Sequence, residues 1–146
     1  MSSKFPVEYF EVRFEVPERD LHLGWPAEFV ILTAYATTGQ TWLPEQNAAA
    51  DGDLAAWCDA SGLRRRRITG YSISTGHAEP GWAVELDFST ACRLGVHFRQ
   101  HACYLVQADQ LWIIACADPA RRSYVGSFRA FLRQRPQRGP ADGAVE

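Results

Sequence analysis

No apolar run in this chain of 146 residues is long enough for a membrane helix. The longest, Phe29 to Ala36, holds eight residues and is interrupted by Thr33, whereas a span needs about 20. The opening MSSKFPVEYF lacks the apolar core of a secretory signal. Neither sign of charge dominates. Fifteen Lys and Arg stand against 17 Asp and Glu, a net charge of −2, which supplies no general attraction to nucleic acid or to an anionic membrane. The four cysteines (Cys58, Cys92, Cys103 and Cys116) form no C-x-x-C pair and show no metal-ligand spacing. Sited in apolar or alternating segments, they read as buried, reduced thiols of a cytoplasmic protein. There is no G-x-S-x-G, and Gly70, Gly76 and Gly81 lack the spacing and the Lys-Ser/Thr ending of a phosphate loop. The expectation is a cytoplasmic protein without metal, cofactor or membrane segment.

What the chain does have is material for a core. A chain of this length buries roughly 68–70% of its unfolded surface and needs no covalent staple. Five Trp, five Tyr and eight Phe carry enough apolar area to form that core or to wall a ligand. One domain is expected over residues 1–134. The terminal RPQRGPADGAVE, residues 135–146, is nearly free of apolar side chains and is expected to be a disordered tail.

Alternation of Phe10, Val12, Phe14 and Val16 with polar residues predicts a strand over 9–16, ended by Pro17. Residues 18–27 read as a connection. The β-branched run from Phe29 to Tyr35 predicts a strand buried on both faces. A helix is expected from Pro44, at a first-turn position that suits proline, to Gly62. Its inner face would carry Ala50, Leu54, Trp57, Cys58 and Ser61. Further strands are expected over 68–74, 82–88, 103–107 and 111–117, and a helix after Asp87 or Ser89, with Ala91, Leu94, Gly95 and Phe98 inward. Last, Ser123–Gln134 reads as an amphipathic helix. This order predicts an α+β two-layer sandwich with a ferredoxin-like βαββαβ core, an extra N-terminal strand and a C-terminal helix. The sheet face away from the helices would be open to a ligand, a protein partner or a second copy in a homodimer, unless the added elements cover it.

Four pieces of the chain resemble a bacterial family known only as domain of unknown function 3293. They are Thr33-Ala34-Tyr35 ending the buried strand, Asn47 near the start of the first helix, Glu79-Pro80 starting a strand, and the string Leu94-Gly95-Val96-His97-Phe98-Arg99-Gln100-His101-Ala102. Family members often carry Asn-Pro where Ala36-Thr37 stand here, serine at the position of Gly81, and glycine at that of Arg99. The resemblance implies no activity. It does single out Thr33, Asn47, Glu79 and Gln100 as polar positions.

A carboxylate, two amides and a hydroxyl at one end of a sheet would suit a small polar ligand, although buried amides also serve to tie loops together. The leading expectation is therefore a non-enzymatic binding module for a small polar ligand or a protein partner, using these four residues. An alternative is an enzyme using Glu79 with His77, two residues away, as general acid and base. Another is a nucleic-acid binder using Arg64 to Arg67, the one dense charge run. For that run the plainer reading is a solvated corner between helix and strand.

Overall fold

The computed structural model describes residues 5–34 and 43–134. The expected tail at 135–146 and Tyr35 lie outside them. Eight strands build one curled sheet: β1 (Val12–Val16), β2 (Glu28–Leu32), β3 (Arg65–Ser72), β4 (Ala78–Val84), β5 (Ala102–Gln107), β6 (Gln110–Ala115), β7 (Asp118–Ser127) and β8 (Leu132–Gln134). Their order is β7-β6-β5-β2-β4-β3-β1-β8. All neighbours are antiparallel except β1 and β8. Four helices accompany the sheet: α1 (Glu18–His22), α2 (Pro44–Ala60), α3 (Phe88–His97) and the single turn α4 (Phe128–Phe131).

The alternation in β1 is as read, with Val12, Phe14 and Val16 buried and Arg13 and Glu15 partly exposed. The strand starts later than residue 9 because local turn bonds occupy the preceding backbone. Tyr9 N–H donates to Pro6 at 3.1 Å and Phe10 N–H to Val7 at 2.9 Å. The segment 18–27, read as a connection, contains α1.

α2 begins at Pro44, and the backbone N–H of Leu43 donates to Gln46 Oε1 at 2.8 Å. Its buried residues, Leu54 and Cys58, are one turn apart. α3 is capped by Asp87, whose side chain accepts from Thr90 N–H at 3.0 Å. Both helices lie on one face of the sheet. There Leu54, Cys58, Ala91, Cys92 and Leu94 pack on Val30, Leu32, Trp82, Val84 and Leu105.

The predicted helix over Ser123–Gln134 is not formed. These residues are the end of β7, the turn α4 and the short β8. The apolar spacing of Tyr124, Val125, Phe128, Phe131 and Leu132 imitates a helix, but pairing of β7 with β6 takes the first two into the sheet. At the junction Gly126 has φ of 156°, and a side chain there would sit 2.9 Å from the Phe131 ring. Asp109 then fastens α4: its carboxylate accepts from Arg129 N–H at 2.9 Å, and its carbonyl from Phe128 N–H at 2.8 Å.

That rearrangement closes the sheet face opposite α2 and α3. The curl wraps a second core of Val12, Phe14, Val16, Phe29, Ile31, Ile68 and Val106, and α4 drops Phe128 into its middle. The Phe128 ring lies 5.1 Å from both Phe29 and Trp25 and 5.9 Å from Phe14.

Candidate functional site

The sheet opens where β2 and β5 part. Their pairing ends at Ile31 and Tyr104, and residues of both strands at and beyond that point line a cavity of about 130 Å³. The volume is close to the engineered cavity of about 150 Å³ that admits benzene, so the room suits a small organic molecule. Phe14, Ile31, Ile68 and Tyr104 make the apolar floor, and Glu8, Tyr9, Tyr71, His77, Glu79 and Gln100 contribute polar groups. No lysine or arginine is among the described lining residues.

Three of the four polar positions singled out from the sequence line this cavity: Thr33, Glu79 and Gln100. Asn47, in the first turn of α2, is not among its lining residues. Thr33 leaves the end of β2 and donates through Oγ1 to the Pro80 carbonyl at 2.9 Å, tying that end to the start of β4. This tight approach explains the residue after Pro80. A Cβ at Gly81 would lie 2.3 Å from the Leu32 carbonyl oxygen, so a serine there would require the strands to shift.

Gln100 reaches the cavity through the end of α3. Arg99 N–H donates to Val96 at 3.0 Å and Gln100 N–H to Gly95 at 2.7 Å, the pair of bonds that closes a helix when the residue past its cap turns left-handed. Arg99 is that residue, with φ of 61°. Gln100 emerges buried, with Nε2 3.3 Å from the Phe98 carbonyl.

The β3–β4 hairpin delivers the acid. Gly76 turns with φ of 75°, Ser72 N–H donates to His77 at 2.9 Å, and His77 and Glu79 then project to the same side. His77 Nε2 stands 2.8 Å from Glu79 Oε2, the histidine mostly exposed and the glutamate mostly covered. The carboxylate can only accept, so the imidazole nitrogen is the donor.

The tyrosines around this acid were not singled out in the sequence. Tyr104 donates its hydroxyl to the Tyr9 carbonyl at 2.7 Å, holding the N-terminal turn beside the cavity. Burial raises the Tyr104 pKa, helped by Tyr9 and Glu79 nearby. Burial and then the Glu79 charge raise that of Tyr9. Both hydroxyls therefore act as neutral hydrogen-bonding groups. The signal for Tyr104 was its alternation in β5 against Cys103 and Leu105, which face the helices. For Tyr9 there was none, because its turn interrupts the pattern. Cys103 also borders the cavity, but hydrogen bonding to the Cys116 and Cys92 thiols, together with burial, raises its pKa well above the ordinary value. It stays a thiol and is a poor nucleophile.

Arg64 to Arg67 do not form a solvated corner. The last three open β3, and strand alternation sends them to opposite faces. Arg65 and Arg67 face α2. Arg65 makes two bonds to Asp59, at 2.9 and 3.0 Å, and Arg67 two to Asp51, at 3.0 and 2.7 Å. Both guanidiniums lie over the Trp82 ring, 4.2 and 3.7 Å from its centre. Arg66 turns to the inner face and lies over Trp25 at 4.5 Å. Trp82 is thus buried beneath these arginines.

Fold and cavity together define a mixed α/β domain with a small, acid-lined pocket at one end of a curled sheet. Residues 32–103, which contain β2's end, α2, the β3–β4 hairpin and α3, match the family described as protein of unknown function DUF3293. Comparison with curated proteins and with solved structures found no match. Among the described residues no group of His, Cys, Asp and Glu is placed to hold a metal ion, and no helix is long and apolar enough to cross a membrane.

Proposed function

We propose that this domain is a binding module for a small organic molecule with an apolar body and a cationic or hydrogen-donating head. The observation that carries the reading is Glu79, oriented by His77 at the wall of a cavity with an aromatic floor and no lysine or arginine among its described lining residues. A carboxylate beside tyrosine faces favours a cation through charge and ring quadrupole together. An anion there would meet Glu79 and Glu8, with His77, already engaged by Glu79, the one nitrogen base among the described lining residues. Thr33 and Gln100 are read as positioning the cavity wall, with Gln100 offering its amide to the head group. The central β2-α2-β3-β4-α3-β5 unit is read as ferredoxin-like. This is supported by the order β5-β2-β4-β3 and by the packing of both helices on one face. Four free, buried cysteines support a reducing, cytoplasmic setting.

The test is a thermal-shift screen of small aromatic and aliphatic amines against carboxylates of the same shape, followed by calorimetry. Amines are expected to stabilise the protein, and Glu79→Gln to weaken them about tenfold or more, the scale of one charge-assisted contact. Equal stabilisation by the carboxylates would overturn the reading. The 2.8 Å contact of His77 with Glu79 favours a second reading, an acid–base enzyme. Consumption of the bound amine that stops in both His77→Gln and Glu79→Gln would decide for it.

A further inference from the structure

At the other end of the curled sheet, where β3 and β4 meet the approach to β2, lies a smaller cavity of about 60 Å³. Trp25, Pro26 and Phe29 line it on one side and Arg64, Arg66 and Glu85 on the other. Arg66 is held in place from two directions. Nη2 donates to the Gly24 carbonyl at 2.8 Å, and the guanidinium lies over Trp25. Nη1 is buried and has no hydrogen-bond partner among the described residues. A buried charged donor without an acceptor is costly, so Arg66, which lines the cavity, would gain from an acceptor brought to its guanidinium through it. One water needs only about 10–15 Å³, and this space is several times larger.

We propose that this cavity is a second binding site, for a small carboxylate anion, with Arg66 as its recognising group. The guanidinium edge and a carboxylate match in plane and spacing. Arg64, exposed and on the same face two residues earlier, adds charge at the mouth. Glu85, also exposed, limits it, and no ion pair joins Glu85 to either arginine among the described residues. Two guanidiniums against one carboxylate leave a single positive charge, which suits a monoanion better than a phosphate or sulfate dianion. Trp25, Pro26 and Phe29 cover the apolar side of an acetate-sized acid. The site is independent of the acid-lined cavity, from which the aromatic core around Phe128 separates it.

The experiment is thermal unfolding and ¹³C NMR of the whole chain titrated with ¹³C-acetate, against chloride at equal ionic strength. Acetate is expected to raise the midpoint saturably and chloride not. Arg66→Gln should weaken acetate at least tenfold, Arg64→Gln several-fold, and Glu85→Gln should tighten it. If Arg66→Gln fails to fold, the opposite effects of Arg64→Gln and Glu85→Gln, both at exposed positions, decide the matter. N-acetylglycine separates two sources of the same chemistry. Binding as tight as acetate points to the carboxylate end of a larger molecule, and exclusion to a free small acid. Equal responses to acetate and chloride, or acetate binding unchanged by all three substitutions, would overturn the proposal.

Discussion

At the scale of single residues, Arg99 occupies a backbone state that favours glycine. A left-handed conformation costs a non-glycine residue roughly 1–2 kcal/mol, part of which glycine returns as entropy. Arg99→Gly should therefore stabilise the protein by about 1 kcal/mol in urea unfolding, while Arg99→Ala, which keeps a Cβ, should not. A gain shared by both would assign the effect to the arginine side chain instead. Asp87 carries a pH dependence. The Thr90 backbone N–H, then its hydroxyl, hold the Asp87 carboxyl below its usual range. A lowered folded value means that the contribution is complete above the unfolded pKa of about 3.9 and is lost as pH falls through the folded value. The thermal midpoint should drop over that acid window. Asp87→Asn keeps a capping acceptor but takes up no proton, so its midpoint should drop less. Identical acid slopes would dismiss the cap as the source. The site was partly legible at this scale. Thr33, Glu79 and Gln100 were polar residues at element ends, and the two-residue spacing of His77 and Glu79 suggested a shared side. Asn47 followed the same logic, but its helix turn carries it elsewhere.

At the scale of elements, the C-terminal segment decides whether the inner face is open. Its apolar spacing resembles a helix face, yet β6 offers a long partner edge, and Gly126 and Asp109 set the chain up for a turn rather than a helix. Phe128 then plugs the curl at 1% exposure. Phe128→Ala should cost about 3–5 kcal/mol in equilibrium urea unfolding. A loss under about 1 kcal/mol, far below the usual price of emptying a phenylalanine site, would mean that the inner core closes without it. The same element-scale logic sorts the arginine run. In a helix-to-strand corner all four would face water, whereas in a strand the odd-numbered pair meets the α2 aspartates and Arg66 meets Trp25.

At the scale of the molecule, the central strands β2, β4 and β5 have partners on both edges and cores on both faces, while β7 and β8 end the sheet. Native-state hydrogen exchange should be slowest at Val30, Ile31, Val84 and Leu105 and fastest among strand amides in β7 and β8. The reverse order would mean that the curl is held from its ends. The sequence by itself determined the alternation of β1, β5 and β6 and the existence of both principal helices, because period-2 and period-3.6 patterns record which side of an element is dry. The strand expected over 82–88 is instead β4, which ends at Val84, with Phe88 already in α3, and Ser61, expected inward on the first helix, is exposed. The two-residue spacing of His77 and Glu79 was also local, although the hairpin that holds them has its second strand starting at Ala78, earlier than the expected 82. Only the tertiary structure decided that the sheet curls, that Phe128 fills it, and that cavities of opposite charge character lie at its two ends. Those outcomes depend on which distant strands pair and where the pairing stops, and no local pattern carries that information.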